Sequence, residues 1–362
     1  MKILIVKLSS LGDVVHTFPA VTDAVRRIPG LEVDWAVEEA FAPLVRLHPA
    51  VRRVIPIPMR RLRKSPVAGW RSPEGQAVRA ALAQERYDRV IDAQGLLKSA
   101  AIACFASGPR HGFARGSARE GLASFFYRRG HHLPETEHMA LRIRKLFAAA
   151  LGYDLEGLPI DAGLALAPAP AVAPYLLMLH GTTWPTKTWT THRWRELAMI
   201  AHEAGLESRI FALGSAERTR AEVIQRDLPF VHIEPPGPID EIAPVLAGAQ
   251  GVVGVDSGLG HLAAALGVPT VGLYGPTNPR LTGLYGPKVL ELRSFRPCAP
   301  CEKSACKVAP HTVEGPPCMV DHAAHAAWRS LNVLRFGHAD AMDKTRRAMA
   351  QGAGSAPHPG PV

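Results

Sequence analysis

The same succession of elements occurs twice in this sequence, on either side of a segment rich in alanine and proline. Short apolar runs, each followed by a stretch of helical periodicity, fill the chain up to residue 165 and begin again after residue 174. Strands that alternate with helices are typical of βαβ units, in which helices cover both faces of a parallel sheet. The intervening LALAPAPAVAP suits a semi-rigid linker.

We therefore predict an α/β protein with two Rossmann-like, doubly wound domains. The N-terminal domain covers residues 1–165, a linker covers 166–174, and the C-terminal domain covers 175–335. Residues 340–362, rich in Ala, Gly, Pro and His, are predicted to be a disordered tail. Ligands of doubly wound sheets bind at the carboxyl ends of the strands, so a cleft between the two domains is the expected site.

Charge and hydropathy narrow the class of protein. No apolar run is long enough to span a bilayer and no secretory signal is visible, so we expect a cytoplasmic protein. Residues 1–165 hold 24 Lys and Arg against 16 Asp and Glu, whereas residues 166–362 hold 18 against 16. The basic first half predicts an anionic partner, either phosphate, nucleic acid or a membrane surface, unless it only aids solubility.

The first strand ends in a polar turn with one acidic residue. KLSSLGDVV follows Ile3–Val6, and Gly12 is expected to allow a tight turn before a helix. From the local pattern, Asp13 is either the cap of that helix or a catalytic group.

The first strand of the second half leads into HGTTWPTK, with Thr182, Thr183 and Lys187 at its carboxyl end. A lysine there can bind a diphosphate as a point charge, and the alternative is a solvated polar loop.

A later strand ends in VDSGLGHL, where Asp256 precedes Ser257, a good N-cap. Gly258 allows close backbone approach, His261 lies in the first turn, and a helix N-terminus attracts phosphate. The alternative is an ordinary strand–turn–helix connection with a capping serine.

Two basic runs lie in the first half. PMRRLRKSP contains Arg60, Arg61, Arg63 and Lys64. ARGSAREGLASFFYRRGHH places arginines beside three consecutive aromatic residues, a combination that suits a bilayer interface. Arginine also binds phosphate and carboxylate groups, and the alternative is a solvated charged face.

Four of the five cysteines lie close together in segment 298–318. Cys298, Cys301, Cys306 and Cys318 have the spacing Cys-x2-Cys-x4-Cys-x11-Cys, which lets four thiolates converge on one tetrahedral ion. A structural zinc site is one interpretation, with His311 as a spare ligand, and reduced, packed cysteines are the other.

Two common nucleotide motifs are absent from the sequence. No Asp-x-Asp occurs, so a metal-chelated diphosphate has no obvious ligands, and no Gly-x4-Gly-Lys-[Ser/Thr] occurs, which excludes a P-loop.

The quoted motifs, taken in order, resemble those of bacterial lipopolysaccharide heptosyltransferases of the two-Rossmann (GT-B) type. MKILIVKLSSLGDVVHTFPAV and VDSGLGHLAAALGVPTVGLYGPT carry the likeness over about residues 1–290. VIDAQGLLKSA and SAREGLASFFYRR are most similar to the type I enzymes. The cysteine segment departs from the best-known type I sequences.

The resemblance implies transfer of heptose from ADP-L-glycero-D-manno-heptose to the Kdo of Kdo2-lipid A, on the cytoplasmic face of the inner membrane. It implies no catalytic metal, peripheral contact with that membrane and no nucleic acid. Asp13 would be the catalytic base, and Lys187 would contact the diphosphate. The donor positions implied are Thr182, Thr183, Lys187, Glu217, Asp256, Ser257, Gly258, Leu259 and His261. The acceptor positions implied are Ser10, Gly12, Arg60, Arg61, Arg63, Lys64 and Arg119.

Three alternatives remain open at this point. A type II enzyme would add the second heptose to the first. A nucleotide-sugar epimerase on the same fold would convert the donor alone. A non-enzymatic binder of nucleic acid or anionic membrane would show steep salt dependence and would tolerate loss of Asp13.

Overall fold

A computed structural model of the chain describes residues 1–309 and 315–337. His311 and the predicted tail 340–362 lie outside the described residues. The described chain forms two compact units, each built on a parallel six-stranded sheet. The predicted pair of Rossmann-like α/β sheets is confirmed.

The first unit contains strands β1 (Lys2–Val6), β2 (Glu32–Glu38), β3 (Val51–Ile57), β4 (Arg89–Asp92), β5 (Arg110–Phe113) and β6 (Arg129–His131). They lie in the order β3-β2-β1-β4-β5-β6, and all pairs are parallel. β1 is central, with Ile5 opposite both Trp35 and Ile91. All four residues Ile3–Val6 are fully buried, because helices cover both faces of the sheet.

The helices of the first unit are α1 (Leu11–Val15), α2 (Phe18–Arg27), α3 (Ala42–Arg46), α4 (Met59–Leu62), α5 (Pro66–Arg71), α6 (Pro73–Ala83), α7 (Leu97–Ala103) and α8 (Met139–Leu151). Short 3₁₀ turns occupy Glu39–Phe41 and Gly121–Phe126. Two separate helices follow β1, because α1 ends at Val15 and α2 begins at Phe18 with Thr17 as its N-cap.

The second unit contains strands β7 (Tyr175–Leu179), β8 (Glu207–Phe211), β9 (Val231–Glu234), β10 (Gly251–Val255), β11 (Thr270–Tyr274) and β12 (Val289–Arg293). Their order is β12-β11-β10-β7-β8-β9. The helices that lie wholly in this unit are α9 (Thr191–Glu203), α10 (Ser215–Gln225), α12 (Gly258–Ala265), α14 (Pro317–Val320) and α15 (Ala324–Phe336). Two more helices, α11 (Ile239–Ala247) and α13 (Pro279–Thr282), are each divided between the two units. A 3₁₀ turn occupies Pro185–Lys187. Trp189 and Trp194 pack edge to face in the core of the second unit, with 4.7 Å between their ring centroids.

The chain passes from the first unit to the second between Leu166 and Ala167, but neither unit is one continuous stretch of the chain. Pro238–Ala243 and Arg280–Pro287 belong to the first unit. The carbonyl oxygen of Gly283 lies 3.1 Å from Nε2 of His16 and 3.1 Å from Nε2 of His138. The sequence prediction, which divided the chain into consecutive domains, did not include these two returns.

No helix in the described ranges combines the length and the apolar character that a membrane span requires.

Candidate functional site

Asp13 lies in the first turn of α1, directly after the carboxyl end of β1. Its Oδ2 accepts hydrogen bonds from the backbone N–H and the hydroxyl of Ser10, both at 3.1 Å. The N-cap of α1 is therefore Ser10, and Asp13 takes part in capping as the third residue of the helix, in a capping box. Gly12 lies inside α1 and has no positive φ, so the turn that it was expected to make is completed before it.

A buried lysine faces the same carboxylate. Lys7 is 2% exposed, and its Nζ lies 3.4 Å from Asp13 Oδ1 and 3.0 Å from the carbonyl oxygen of Ala93. Burial raises the pKa of Asp13, but the Lys7 ammonium and the Ser10 hydrogen bonds outweigh it and lower the pKa to about 2. Asp13 is thus an ionised carboxylate at neutral pH. Lys7 is a site residue that the sequence analysis missed.

The turn after β4 holds the loop that carries Asp13. Gln94 Oε1 accepts from the backbone N–H groups of Leu8 (2.7 Å) and Ser9 (3.2 Å), and its side-chain amide donates to the Ser9 carbonyl. Lys98 Nζ donates to Ser9 Oγ at 3.1 Å. The strand end at VIDAQG was visible in the sequence, but only the pairing of β4 with β1 reveals that Gln94 meets this loop.

In the second unit, the predicted lysine and aspartate meet. Lys187 Nζ lies 2.7 Å from Asp256 Oδ2, and His261 Nε2 lies 3.5 Å from Oδ1 of the same carboxylate. Burial raises the pKa of Asp256, but the hydrogen bond and charge of His261, together with Lys187, lower it strongly overall. The lysine ammonium also lies over the Trp184 ring, 4.6 Å from its centroid.

Two adjacent strands bring these residues together, because β7 and β10 are paired in parallel and both end at this edge. Thr182 closes the loop after β7 by accepting from the Trp184 backbone N–H at 3.3 Å. Thr183 is exposed on the same loop.

The helix after Asp256 begins with free donors. Ser257 is the N-cap of α12, and Gly258 and Leu259 are its first two residues, so their N–H groups have no partner within the helix. The hydroxyl groups of Ser257 and Thr277 are buried without a hydrogen-bond partner among the described residues. A buried hydroxyl without a partner is costly unless a ligand satisfies it, so this edge is suited to an anionic, oxygen-rich ligand.

Glu217, at the start of α10, lies over the glycine that follows His180. Its Oε2 accepts from the Leu213 backbone N–H at 2.9 Å. A Cβ added to Gly181 would come within 2.6 Å of the Glu217 carboxylate, so the end of the Glu217 side chain packs directly against this glycine. Glu217 therefore lies beside the loop that carries Thr182 and Thr183.

The basic run of the first unit is not uniformly available to a ligand. Arg61 donates to the carboxylates of Glu39 and Glu74, with contacts of 2.7 Å to each, which raises its pKa further. Arg60 pairs with Glu38 at 3.0 Å but remains 81% exposed. The other predicted acceptor residues, Ser10, Arg63, Lys64 and Arg119, are exposed.

The four clustered cysteines line one cavity of about 400 Å³ and form no disulfide. Burial, followed by the other three thiols, raises the pKa of Cys318 to about 11. Within residues 1–309 and 315–337, no three His, Cys, Asp or Glu side chains are grouped so that they could hold a metal ion. The zinc site therefore stays a prediction.

The cysteine segment contacts two loops of the candidate site. Thr186 Oγ1 donates to the Lys303 carbonyl oxygen at 2.6 Å, and the Glu302 N–H donates to the Pro276 carbonyl oxygen at 2.8 Å. A Cβ added to Gly275 would lie 2.7 Å from Cys318 Sγ, so the segment packs tightly against the turn after β11.

Comparison with known proteins gives consistent matches. The profile of glycosyltransferase family 9 (heptosyltransferase) matches residues 76–311. Lipopolysaccharide heptosyltransferase 1 of Pseudomonas aeruginosa is 49% identical over 314 residues, which cover 86% of this chain and 88% of the relative. Lipopolysaccharide heptosyltransferase 2 of Escherichia coli is 25% identical over 78% of this chain and 85% of its own length.

Solved structures agree. E. coli heptosyltransferase WaaC, determined with ADP, is 43% identical and superposes with a TM-score of 0.76 over 81% of this chain and 93% of its own. The same enzyme with ADP-2-deoxy-2-fluoro heptose superposes over the same shares with a TM-score of 0.74.

Proposed function

The chain belongs to glycosyltransferase family 9, the heptosyltransferases, and we propose that it transfers L-glycero-D-manno-heptose from ADP-heptose to the Kdo of Kdo2-lipid A. It is a glycosyltransferase of the heptosyltransferase I type in lipopolysaccharide inner-core synthesis. The identity of 49% to the Pseudomonas aeruginosa type 1 enzyme, against 25% to the E. coli type 2 enzyme, favours the first heptose over the second. The epimerase and the non-enzymatic binder are not supported.

The observation that carries the donor site is the Lys187–Asp256–His261 cluster beside the amino end of α12. Two cationic or hydrogen-bonding side chains and several free N–H groups suit a diphosphate. In this proposal Lys187 stabilises the charge that grows on the departing ADP, and the Ser257 hydroxyl finds its missing partner in the donor.

Asp13 acts as the general base on the acceptor hydroxyl. Its low pKa keeps it ionised, and it accepts the proton late, when the attacking oxygen has become acidic by bonding to the anomeric carbon. Attack occurs on the face opposite ADP, through a transition state with oxocarbenium character, so the configuration inverts. Lys7 and Ser10 hold the carboxylate in place for this step.

The acceptor is anionic, with Kdo carboxylates and lipid A phosphates, and exposed cations of the first unit match it. Arg63, Lys64 and Arg119 are exposed and can turn toward such groups, and Arg60 can do so by leaving Glu38. Arg61 has a positioning role between its two glutamates. We place the reaction on the cytoplasmic face of the inner membrane, with peripheral membrane contact and no nucleic acid partner.

Catalysis in this proposal requires no metal ion, since a lysine and a helix N-terminus stabilise the diphosphate. The cysteine segment would take zinc only by drawing its thiols together, and would then fix the loops of Thr186 and Pro276. Elemental analysis of the purified protein tests this second point. One zinc per chain, lost in Cys301→Ser, supports it, and a metal-free active protein overturns it.

A transfer assay with ADP-heptose and Kdo2-lipid A, with and without EDTA, tests the function. We expect turnover in both conditions and none with donor alone. Turnover that EDTA abolishes while the fold persists, checked by circular dichroism, contradicts the metal-free mechanism. Transfer only to an acceptor that already carries one heptose contradicts the assignment of acceptor.

A further inference from the structure

The 3₁₀ turn Gly121–Phe126 exposes large apolar side chains to solvent. Leu122 is 57% exposed, Phe125 is 71% exposed and Phe126 is 41% exposed. Three exposed apolar side chains thus lie within one six-residue turn, Gly121–Phe126, which we call the aromatic turn. Exposed apolar patches with a polar rim mark sites that contact a protein or a membrane.

Arginines surround the aromatic turn. Arg115 lies over the Phe125 ring at 5.9 Å from its centroid, and Arg128 and Arg129 follow the turn in sequence, all exposed. Aromatic side chains next to arginines suit the boundary between lipid headgroups and acyl chains, because the rings enter the boundary and the cations attract anionic lipid.

A basic cavity of about 510 Å³ lies beside the turn. Arg86, Arg89, Arg110 and Arg128 line it, together with Asp88, whose Oδ2 accepts from the Lys2 backbone N–H at 2.7 Å. Within the described ranges, none of the four guanidinium groups forms an ion pair with a carboxylate. Arg89 donates to the carbonyl oxygens of Ala150 and Asp88. Arginine side chains that line one cavity without a carboxylate partner match a phosphate.

The cavity and the aromatic turn form one surface. Arg110 Nε donates to the Phe126 carbonyl oxygen at 2.8 Å, which fixes the end of the turn against the cavity wall. Because β5 and β6 are parallel, the segment between them returns along the sheet to the amino end of β6, where Arg128 enters the cavity.

We propose that this surface docks the protein on an anionic bilayer, with the aromatic turn in the headgroup boundary and a lipid phosphate in the arginine cavity. The proposal rests on the proposed function in one respect: docking is useful because the proposed acceptor is a lipid. None of the residues that we assign to the proposed reaction lies on this surface.

The docking surface is also connected to the loop that carries Asp13. Tyr127, directly after the turn, donates to Asp92 Oδ2 at 2.8 Å, and Asp92 Oδ1 accepts from the Gln94 N–H at 2.9 Å. Gln94 in turn holds Leu8 and Ser9. These hydrogen bonds therefore connect the surface that is proposed to contact the bilayer with the loop that carries the proposed base.

Vesicle co-sedimentation of the full chain tests the proposal. We expect binding to phosphatidylglycerol vesicles and little to phosphatidylcholine vesicles. Phe125→Ala should lower partitioning roughly tenfold, and Arg86→Gln and Arg128→Gln about fivefold each. The matched controls Phe295→Ala and Arg329→Gln replace exposed residues of the second unit and should leave binding unchanged.

Equal binding to both vesicle types, or equal losses in the controls, overturns the proposal. A second outcome also overturns docking: millimolar inorganic phosphate displaces the protein fully from the vesicles, and Phe125→Ala binds the vesicles normally. That result would assign the cavity to free phosphate.

Activity assays separate this proposal from the proposed function. The variants Phe125→Ala and Arg86→Gln should keep wild-type kcat/KM on a deacylated, water-soluble acceptor and lose it on acceptor in vesicles. Vesicle binding without transfer to either acceptor would contradict the proposed function alone, whereas unchanged activity on vesicles would contradict docking alone.

Discussion

Each unit places a lysine against an aspartate at the carboxyl edge of its sheet. Counted from its own first strand, each sheet has the order third, second, first, fourth, fifth, sixth. The pairs are Lys7–Asp13 at 3.4 Å in the first unit and Lys187–Asp256 at 2.7 Å in the second. Both lie near the point where the strand order reverses, which is where such sheets bind ligands.

The two pairs differ in which strand supplies the acid. In the second unit the acid follows the fourth strand and leads directly into α12, so the free N–H groups of that helix lie beside it. In the first unit the acid of the pair follows the first strand. The fourth strand ends in Asp92, which is buried and accepts hydrogen bonds from Tyr127 and the Gln94 N–H, and the neutral Gln94 fixes the neighbouring loop. The same scaffold therefore provides an anion site in one unit and a fixed carboxylate in the other.

The comparison is tested most severely by removing each acid. We expect Asp13→Asn to lower kcat by roughly 10²–10⁴-fold, because the general base is lost, and to leave the Kd of ADP unchanged. Asp256→Asn should change the Kd of ADP, since it releases Lys187 and His261. Steady-state kinetics and calorimetric ADP titration measure both effects. An Asp13→Asn enzyme with weakened ADP binding would remove the distinction between the two units.

Lys187→Gln gives the next largest effect. Loss of the cation should lower kcat by roughly 10²–10³-fold, as for other single groups that stabilise transition-state charge, and should raise the Kd of ADP as well. The control for donor binding is Lys98→Gln. Lys98 belongs to the first unit, and its described hydrogen bond is to the Ser9 hydroxyl. If both variants weaken ADP binding equally, Lys187 has no special role.

Lys7→Met should change the pH profile of the reaction. Because an opposite charge near a carboxyl group lowers its pKa by about 1–3 units, loss of Lys7 raises the pKa of Asp13 toward the assay range. The variant should lose kcat/KM at pH 5 relative to pH 7.5, whereas the wild-type profile stays flat there. A flat profile in Lys7→Met would show that Lys7 does not control the ionisation of Asp13.

The smallest effect is on stability in acid. The pKa of Asp13 is about 2 in the folded state and lies below its unfolded value, so its ionised form stabilises the fold at neutral pH. This contribution, about 2 kcal/mol, is complete above the unfolded pKa and is lost as the pH falls toward 2. Urea unfolding at pH 7 and pH 3 should therefore show a smaller drop for Asp13→Asn than for wild type, and equal drops would contradict the assignment.

The sequence predicted the repeated elements because each of their signals is local. Ile3–Val6 and Gly251–Val255 are apolar throughout and are central strands. Ser257 is at the N-cap position of α12, as expected, but its hydroxyl makes no capping hydrogen bond. The short strand Arg129–His131 was missed because its three residues carry no apolar pattern. Gln94 was missed because its contacts depend on strand pairing across more than 80 residues. Lys7 contacts Asp13 only six residues away, but its burial against the Ala93 carbonyl oxygen depends on the same strand pairing.

The return of Arg280–Pro287 to the first unit has a consequence for exchanging parts between related enzymes. A chimaera joined at residue 166 would take the first unit without the Gly283 carbonyl group that His16 and His138 contact, and without Tyr285, which stacks on His138 at 5.0 Å. A chimaera that keeps these contacts would take Arg280–Pro287 from the same parent enzyme as the first 166 residues. The first unit is therefore encoded by separate stretches of the gene.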